Sequence, residues 1–227
     1  MASFEEINYN IRANKSIERK MISEIVQKLS FFSDLENYRY IGLGSTYFTD
    51  FILFHKNLGI NNMISIEKEE SKKDRFEFNK PFSCIDIEYG DTSTVLPNLE
   101  LDKNLNIIWL DYDGKIEDYV FSDLDSIVSN SLAGTMFLIS VNVESSPGTQ
   151  ESRMKDLIEK IGKQRIPARF TDQNLNNKNL PLVVYEMIDT QIRKSLLERT
   201  GGDSSILDYN QIFHYLYKDG AQMLTVG

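Results

Sequence analysis

The chain has 227 residues, of which 41% are apolar and 26% are charged, a composition that favours one large globular domain. Its 34 acidic and 25 basic residues give a formal net charge of −9, which argues against nucleic acid as a partner. One cysteine excludes a disulfide framework, and the lack of a signal-peptide pattern or an apolar run of roughly 18 residues favours a cytoplasmic protein without a membrane span.

The spacing of apolar residues predicts alternating helices and strands. A first helix is expected from its cap Ser16 to about Leu29. A strand at 38–41 then runs into Gly42-Leu43-Gly44-Ser45-Thr46, and the helix that follows is expected to stop at Gly59. The next elements are predicted as strand 62–67, helix 68–80, strand 84–88, strand 106–110, helix 116–128 and strand 135–141.

The last third of the chain is predicted to hold two helices and a hairpin. A helix ends near Ile161, the polar segment 163–180 reads as a long loop or lid, and a second helix covers about 181–199. Strands at 209–217 and 222–226 flank an Asp-Gly turn, which is a strong hairpin signal. Strands alternating with helices predict a mostly parallel α/β sheet with a C-terminal antiparallel hairpin strand, in one domain over 1–227.

Polar residues stand at the ends of four predicted parallel strands, where open α/β sheets bind ligands. They are Gly42-x-Gly44, Glu67, Asp91 and Asp111-x-Asp113. Glycine lets the backbone approach a ligand closely, and an acid about 20 residues later can accept from both hydroxyls of a ribose. The pattern therefore predicts an adenosine-containing ligand. A dinucleotide fits less well, because Tyr47 stands where G-x-G-x-x-G needs its third glycine.

These residues resemble the class I S-adenosylmethionine-dependent methyltransferases. Ile41-Gly42-Leu43-Gly44 matches the glycine loop, Glu67 the ribose acid, Gly90-Asp91-Thr92 the adenine segment and Trp109-Leu110-Asp111 the fourth strand end. The resemblance implies a Rossmann-like three-layer sandwich, S-adenosylmethionine as cofactor, and transfer of its methyl group to an oxygen of a small molecule or protein. Its cofactor contacts would be Gly42, Gly44, Ser45, Glu67, Asp91, Thr92 and Asp111.

Two positions depart from the family pattern. Tyr40 stands where an acid often precedes the first glycine by two residues, and Thr46 stands where a third glycine is common. The first departure leaves the contact to the methionine amino group unassigned. The fourth strand end also lacks the Pro-Pro-aromatic motif of enzymes that methylate nucleic-acid amino groups, which argues against that chemistry.

Asp111 and Asp113 are the candidate catalytic residues. The stretch from Trp109 to Lys115 also looks like metal-dependent catechol and caffeoyl-CoA O-methyltransferases, in which Asp111, Asp113 and Asn142 would hold a divalent cation. We favour a site without metal, in which Asp111 and Asp113 cap the next helix and Asp111 contacts substrate or cofactor directly.

A basic segment, Arg12 to Lys20, interrupts the acidic chain near its start. We expect residues 1–30 to form an N-terminal helical flap in which residues 9–15 fold over the cofactor. Arg12 or Lys15 would then meet the cofactor carboxylate or an anionic substrate. Substituting Arg12 and Lys15 should then leave stability nearly unchanged, because exposed charges add little to folding. The alternative interpretation is an ordinary solvated helix start.

A second function remains open at this stage, namely a non-catalytic nucleoside-binding or assembly module of the same fold. The sequence is compatible with a homo-oligomer, and it leaves the methyl acceptor and the oligomeric state undetermined.

Overall fold

A computed structural model describes residues 12–227, which contain a seven-stranded sheet in the order β3-β2-β1-β4-β5-β7-β6. The strands are β1 (Tyr38–Leu43), β2 (Asn62–Glu67), β3 (Ile85–Tyr89), β4 (Leu105–Lys115), β5 (Met136–Asn142), β6 (His214–Asp219) and β7 (Ala221–Val226). The helices are α1 (Ala13–Gln27), α2 (Thr49–Leu58), α3 (Lys73–Asn79), α4 (Thr92–Val95), α5 (Asp118–Asn130), α6 (Gln150–Ile161) and α7 (Leu180–Arg199). Within the described residues, no helix combines the length and apolarity needed to cross a membrane.

The sheet is mostly parallel, as predicted. Ile41 of β1 lies opposite Ile64 of β2 on one side and Ile108 of β4 on the other, and β2 also pairs in parallel with β3. At the C-terminus, β7 runs antiparallel to both β5 and β6. The Rossmann-like α/β fold with its antiparallel hairpin is thereby confirmed. Strand order reverses between β1 and β4, and such a switch point opens a crevice at the carboxyl ends of the strands.

Contacts divide the chain into two compact units. The first runs up to Asp111 and includes Asn130–Leu138, and the second comprises Tyr112–Ser129 and Ile139–Gly227. The first unit has an aromatic core in which the Phe54 ring stacks on that of Trp109, with 6.3 Å between centroids. In the second unit, α5 and α7 bury apolar residues that include Phe121, Leu124, Val184 and Ile188. The prediction of one domain over 1–227 stays a prediction.

Several predicted boundaries are wrong for identifiable reasons. Helix α1 begins at Ala13, so Ser16 lies inside its first turn and is not the cap, and the chain continues past Gln27 as a 3-10 turn. Strand β4 continues through both aspartates to Lys115, because the chain stays extended there, and helix α5 starts only at Asp118. The interpretation of Asp111 and Asp113 as helix caps is therefore wrong.

The hairpin is shorter than predicted, because β6 begins at His214 rather than at residue 209. The preceding residues pair with the chain end instead, since the Ile212 and Phe213 amides both donate to the Gly227 carbonyl. The turn itself is as expected, with Gly220 at a φ of 85°, in the region that glycine adopts without strain.

The segment 163–180 is a loop with two 3-10 turns, Lys163–Arg165 and Asp172–Asn174. Within the second unit, Leu175 of this segment is buried. Asn177 Oδ1 accepts hydrogen bonds at 2.7 Å from the amide and the hydroxyl of Ser145. The role of the segment as a lid stays a prediction. Of the predicted N-terminal flap, residues 1–11 lie outside the described part of the chain, and so does much of the 9–15 segment.

Candidate active site

Gly44 occupies the turn between β1 and α2, with its amide donating to the Ile66 carbonyl at 3.0 Å. A Cβ at Gly44 would overlap the Glu67 carboxyl and the Ser65 hydroxyl. Two residues earlier, a Cβ at Gly42 would lie 2.6 Å from the Tyr40 hydroxyl oxygen. Both glycines are therefore required by the close approach of neighbouring side chains, and not by a left-handed backbone.

Glu67, the last residue of β2, is 3% exposed and accepts a hydrogen bond from Ser65 Oγ at 3.2 Å. Burial raises its pKa to about 8, with a further increase from the charge of Asp50, while the Ser65 hydrogen bond opposes the rise. The Glu67 carboxyl is therefore mostly protonated at neutral pH while it lies against Gly44.

Tyr40 lies fully buried, with its ring edge-on to those of Phe51 and Phe54 at 4.9 and 4.7 Å. Its hydroxyl donates to the carboxylate of Asp50, in the first turn of α2. Burial raises the pKa of Asp50, whereas the charge of Arg19 on α1 lowers it. Tyr40, at the position where the family often has an acid, thus forms a hydrogen bond to the acid Asp50.

Lys15 joins α1 to β4. Its ammonium donates to Asp111 Oδ1 at 2.5 Å, lies 2.9 Å from Glu18 Oε2, and sits 5.2 Å from the centroid of the Trp109 ring. Lys15 is the third residue of α1 and only 4% exposed. The expectation that its charge is exposed is therefore wrong, whereas the small effect on stability that exposure implied stays an untested prediction.

Among residues 12–227, the buried groups without hydrogen-bond partners include the Thr46 hydroxyl in the loop after β1 and Nε of Arg19 on α1. Ser45, predicted as a cofactor contact, instead stabilises the turn by accepting from the Tyr47 amide with its hydroxyl at 3.3 Å. Phe48 closes the turn at a φ of 46°, an uncommon conformation for a residue with a side chain.

Asp91 and Thr92 follow β3, at the start of the short helix α4. The Asp91 carboxylate forms an ion pair with Lys68, with Oδ1 and Nζ 2.6 Å apart and both side chains more than half exposed. The Gly90 amide donates to the Glu67 carbonyl at 3.0 Å, so this loop is tied by its backbone to the end of β2. Asp91 is therefore exposed and accessible to a ligand, whereas Glu67 is buried.

The metal-binding alternative finds no preformed cluster. Asp113 is exposed, and Asn142 Oδ1 accepts from the Glu144 amide at 2.9 Å. In the part of the chain that the structure describes, no three His, Cys, Asp or Glu side chains are arranged to hold an ion. A divalent cation held by Asp111, Asp113 and Asn142 stays an untested alternative.

In the first unit, the structure brings together Gly42, Gly44 and Glu67 at one turn, and Lys15 with Asp111 at another point of the same unit. Sequence reasoning missed Asp50 and Arg19. A carboxylate in the first turn of the helix after the glycine loop is the only signal that could have found Asp50. It also missed a cavity of about 470 Å³ in the second unit, whose lining includes Lys115 and Arg153.

Several solved structures are similar to this chain at low sequence identity. One is described as a "putative caffeoyl-CoA O-methyltransferase from Staphylococcus aureus" (11% identity, 100% of this chain and 92% of that one, TM-score 0.47). Others are the O-methyltransferase TomG from Streptomyces achromogenes in complex with SAM (14%, 89% and 78%, 0.44) and "PigF with SAH" (13%, 90% and 60%, 0.42). The chain thus spans less than two thirds of the last of these.

Likenesses with TM-scores below 0.5 carry no argument about this chain. No curated protein matches the sequence. The sequence model of one protein family, by contrast, matches residues 7–227, which is nearly the whole chain. The methyltransferase resemblance of the strand-end motifs is thereby confirmed, and the chain belongs to the family described as "Putative O-methyltransferase".

Proposed function

We propose that the protein transfers a methyl group from S-adenosylmethionine to an oxygen atom of a small-molecule or protein acceptor. The observation that carries this proposal is the contact between Gly44 and the Glu67 carboxyl, beside the point where strand order reverses. S-adenosylmethionine, when bound, supplies an electrophilic methyl carbon, so the protein's own task is to bind, orient and exclude water.

The charges near the glycine loop suit this cofactor. Its sulfonium and amino groups are positive, and Glu67, Asp50 and Asp111 interact electrostatically with one another or with Tyr40 between them. Its carboxylate is negative, and the unpartnered Nε of Arg19 together with the Thr46 hydroxyl offers hydrogen-bond donors. We therefore assign the methionine carboxylate to Arg19 in preference to Lys15, whose ammonium already contacts two acids.

Asp111 has a different role in this proposal. Its Oδ1 accepts from Lys15, so its carboxylate is held in one orientation at the point where β4 passes the crevice. We assign Asp111 to positioning the acceptor or the cofactor, and Asp113, exposed and two residues further on the same strand face, to the acceptor side. Gly42, Ser45, Asp91 and Thr92 remain proposed cofactor contacts.

Titration calorimetry with S-adenosylhomocysteine tests the proposal. We expect Glu67→Ala to weaken binding by about 1.5–3 kcal/mol, because a ribose diol loses its charged acceptor. Glu88→Ala, which changes an exposed glutamate on the neighbouring strand β3, should bind like the wild type. Because Glu67 is protonated when buried, binding near pH 7 should release a proton, which shows as a dependence of the measured heat on the buffer.

Turnover separates the enzyme from a binding module. Transfer of labelled methyl to a panel of hydroxyl compounds supports the enzyme, whereas tight binding without any transfer supports the module. Activity that survives EDTA excludes the divalent-cation alternative. We further propose a cytoplasmic protein that does not act on nucleic acid, supported by the free cysteine Cys84 and the net charge of −9.

A further inference from the structure

The cavity in the second unit is lined by apolar residues and by charged residues of both signs. Its volume is about 470 Å³, enough for a molecule of two fused rings. Ile116, Leu157, Leu175 and Val184 supply apolar surface. Leu175 belongs to the loop 163–180, and this loop therefore forms part of the cavity wall.

Lys115 is a cation of this cavity for which residues 12–227 supply no ion pair. Its ammonium donates to Ser146 Oγ at 2.6 Å, and among residues 12–227 no carboxylate lies within ion-pair distance of it. Burial lowers the pKa of Lys115, and the charges of Lys160 and Arg153 lower it further, although Glu144 opposes them. A partly buried cation among other cations is costly unless an anion joins it.

Arg153 adds a second positive charge, and hydrogen bonds to two backbone carbonyls fix the orientation of its guanidinium. Its Nε donates to the Ser146 carbonyl, and its Nη1 donates to the Leu175 carbonyl at 2.9 Å. These partners are neutral, so they hold the guanidinium without cancelling its charge. Arg153 therefore contributes electrostatic attraction and shape, while Lys115 has ammonium protons left to donate.

The remaining charged groups of the lining are compensated or exposed. Lys160 lies 2.9 Å from Glu117, and Glu144 lies 3.2 Å from Lys218. Asp156 and Glu159 are exposed residues of α6. Lys115 and Arg153 are the two partly buried cations of the lining.

We infer that this cavity binds a small organic anion, an apolar ring system bearing one carboxylate that pairs with Lys115. The inference rests on the proposed function, because it names that molecule's class as the class of the methyl acceptor. The inference goes beyond the proposed function because it assigns the acceptor a carboxylate in addition to the hydroxyl that is methylated.

A pair of matched probes tests the inference on the full chain. The carboxylate 2-naphthoate and its neutral counterpart 2-naphthamide have nearly the same shape, and each is titrated into ¹⁵N-labelled protein. We expect 2-naphthoate to bind about tenfold more tightly than 2-naphthamide, as one charge-assisted hydrogen bond implies, with amide shifts at Ser145, Ser146 and Arg153. Equal affinities, or shifts elsewhere only, would overturn it.

Variants identify the charge responsible. Lys115→Met should reduce 2-naphthoate binding about tenfold and leave 2-naphthamide binding within about twofold, while Lys115→Arg keeps the preference for the anion. Lys160→Met is the matched control, because that lysine lines the same cavity but already faces Glu117, and it should change the affinity less than about threefold. If Lys115→Met binds 2-naphthoate like the wild type, the inference is wrong.

Titration of S-adenosylhomocysteine into the same samples separates the two proposals. Loss of 2-naphthoate binding selectivity with intact S-adenosylhomocysteine binding contradicts only the inference about the cavity. A protein that binds 2-naphthoate as expected but not S-adenosylhomocysteine contradicts the proposed function and leaves the anion site standing.

Discussion

Two partly or wholly buried lysines, one in each unit, have opposite surroundings. In the first unit, Lys15 lies between the carboxylates of Asp111 and Glu18, and it is 4% exposed. In the second unit, Lys115 donates to a serine hydroxyl, and the charges that act on it are those of the cations Lys160 and Arg153 and of the acid Glu144. The charge of Lys15 is thus neutralised by carboxylates of the protein, whereas we propose that the charge of Lys115 pairs with a ligand.

The same contrast extends to the regions around them. Near the glycine loop, carboxyl groups predominate, and burial raises the pKa values of both Glu67 and Asp50. In the cavity lining of the second unit, the partly buried cations are Lys115 and Arg153. A positive sulfonium beside the buried acids would favour their charged forms, and an anionic partner would balance the charge of Lys115.

The largest effect is expected from removing the paired lysine. Lys15→Met should lower the free energy of unfolding by about 3 kcal/mol, because it takes the shared cation away from two carboxylates. Lys115→Met should change it by less than about 1 kcal/mol, the scale of a single hydrogen bond. Denaturant unfolding of both variants measures the contrast, and similar losses in the two would break it.

The next effect depends on pH. The unfolded chain loses the Glu67 proton near pH 4.5, whereas the folded chain keeps it up to about pH 8, so stability should fall as pH rises through that window. Glu67→Gln cannot ionise and should gain about 3 kcal/mol relative to wild type between about pH 5 and pH 8. Thermal unfolding at both pH values measures this gain, and a constant difference between the proteins would contradict it.

A smaller effect is expected from filling the space beside Glu67. Gly44→Ala should cost about 1–3 kcal/mol of stability and weaken S-adenosylhomocysteine binding, because its Cβ would overlap the Glu67 carboxyl. Gly114→Ala is the matched control on β4, since its Cβ would meet no atom closer than 4.0 Å. The control should stay within about 0.5 kcal/mol of the wild type in denaturant unfolding.

The smallest effect is expected at the exposed pair of Lys68 and Asp91. Both side chains are more than half exposed, so Lys68→Ala should change stability by less than about 0.5 kcal/mol despite the 2.6 Å contact. A cost as large as that of Lys15→Met would show that burial does not separate the two ion pairs. High salt should abolish what little effect remains.

Much of the fold could be predicted because its signals are local. Gly59 ends α2 in a left-handed conformation, and β2 has the predicted bounds Asn62–Glu67. The extension of β4 through Asp111 could not be predicted, because polar residues after an apolar run read as a turn. Residues 209–213 were predicted as strand from their apolar alternation, but they precede β6, and two of them, Ile212 and Phe213, form hydrogen bonds with Gly227.

The sequence by itself determined the order of helices and strands and the placing of glycine and acid at the strand ends, since turns and periodicity are properties of neighbouring residues. Only the tertiary structure decided which charges meet. Lys15 binds Asp111 across 96 residues of sequence, and Tyr40 binds Asp50 because β1 and α2 pack together. Within the described part of the chain, Lys15 forms ion pairs with carboxylates and Lys115 does not. The sequence does not distinguish the two lysines, because the difference arises from packing between distant segments.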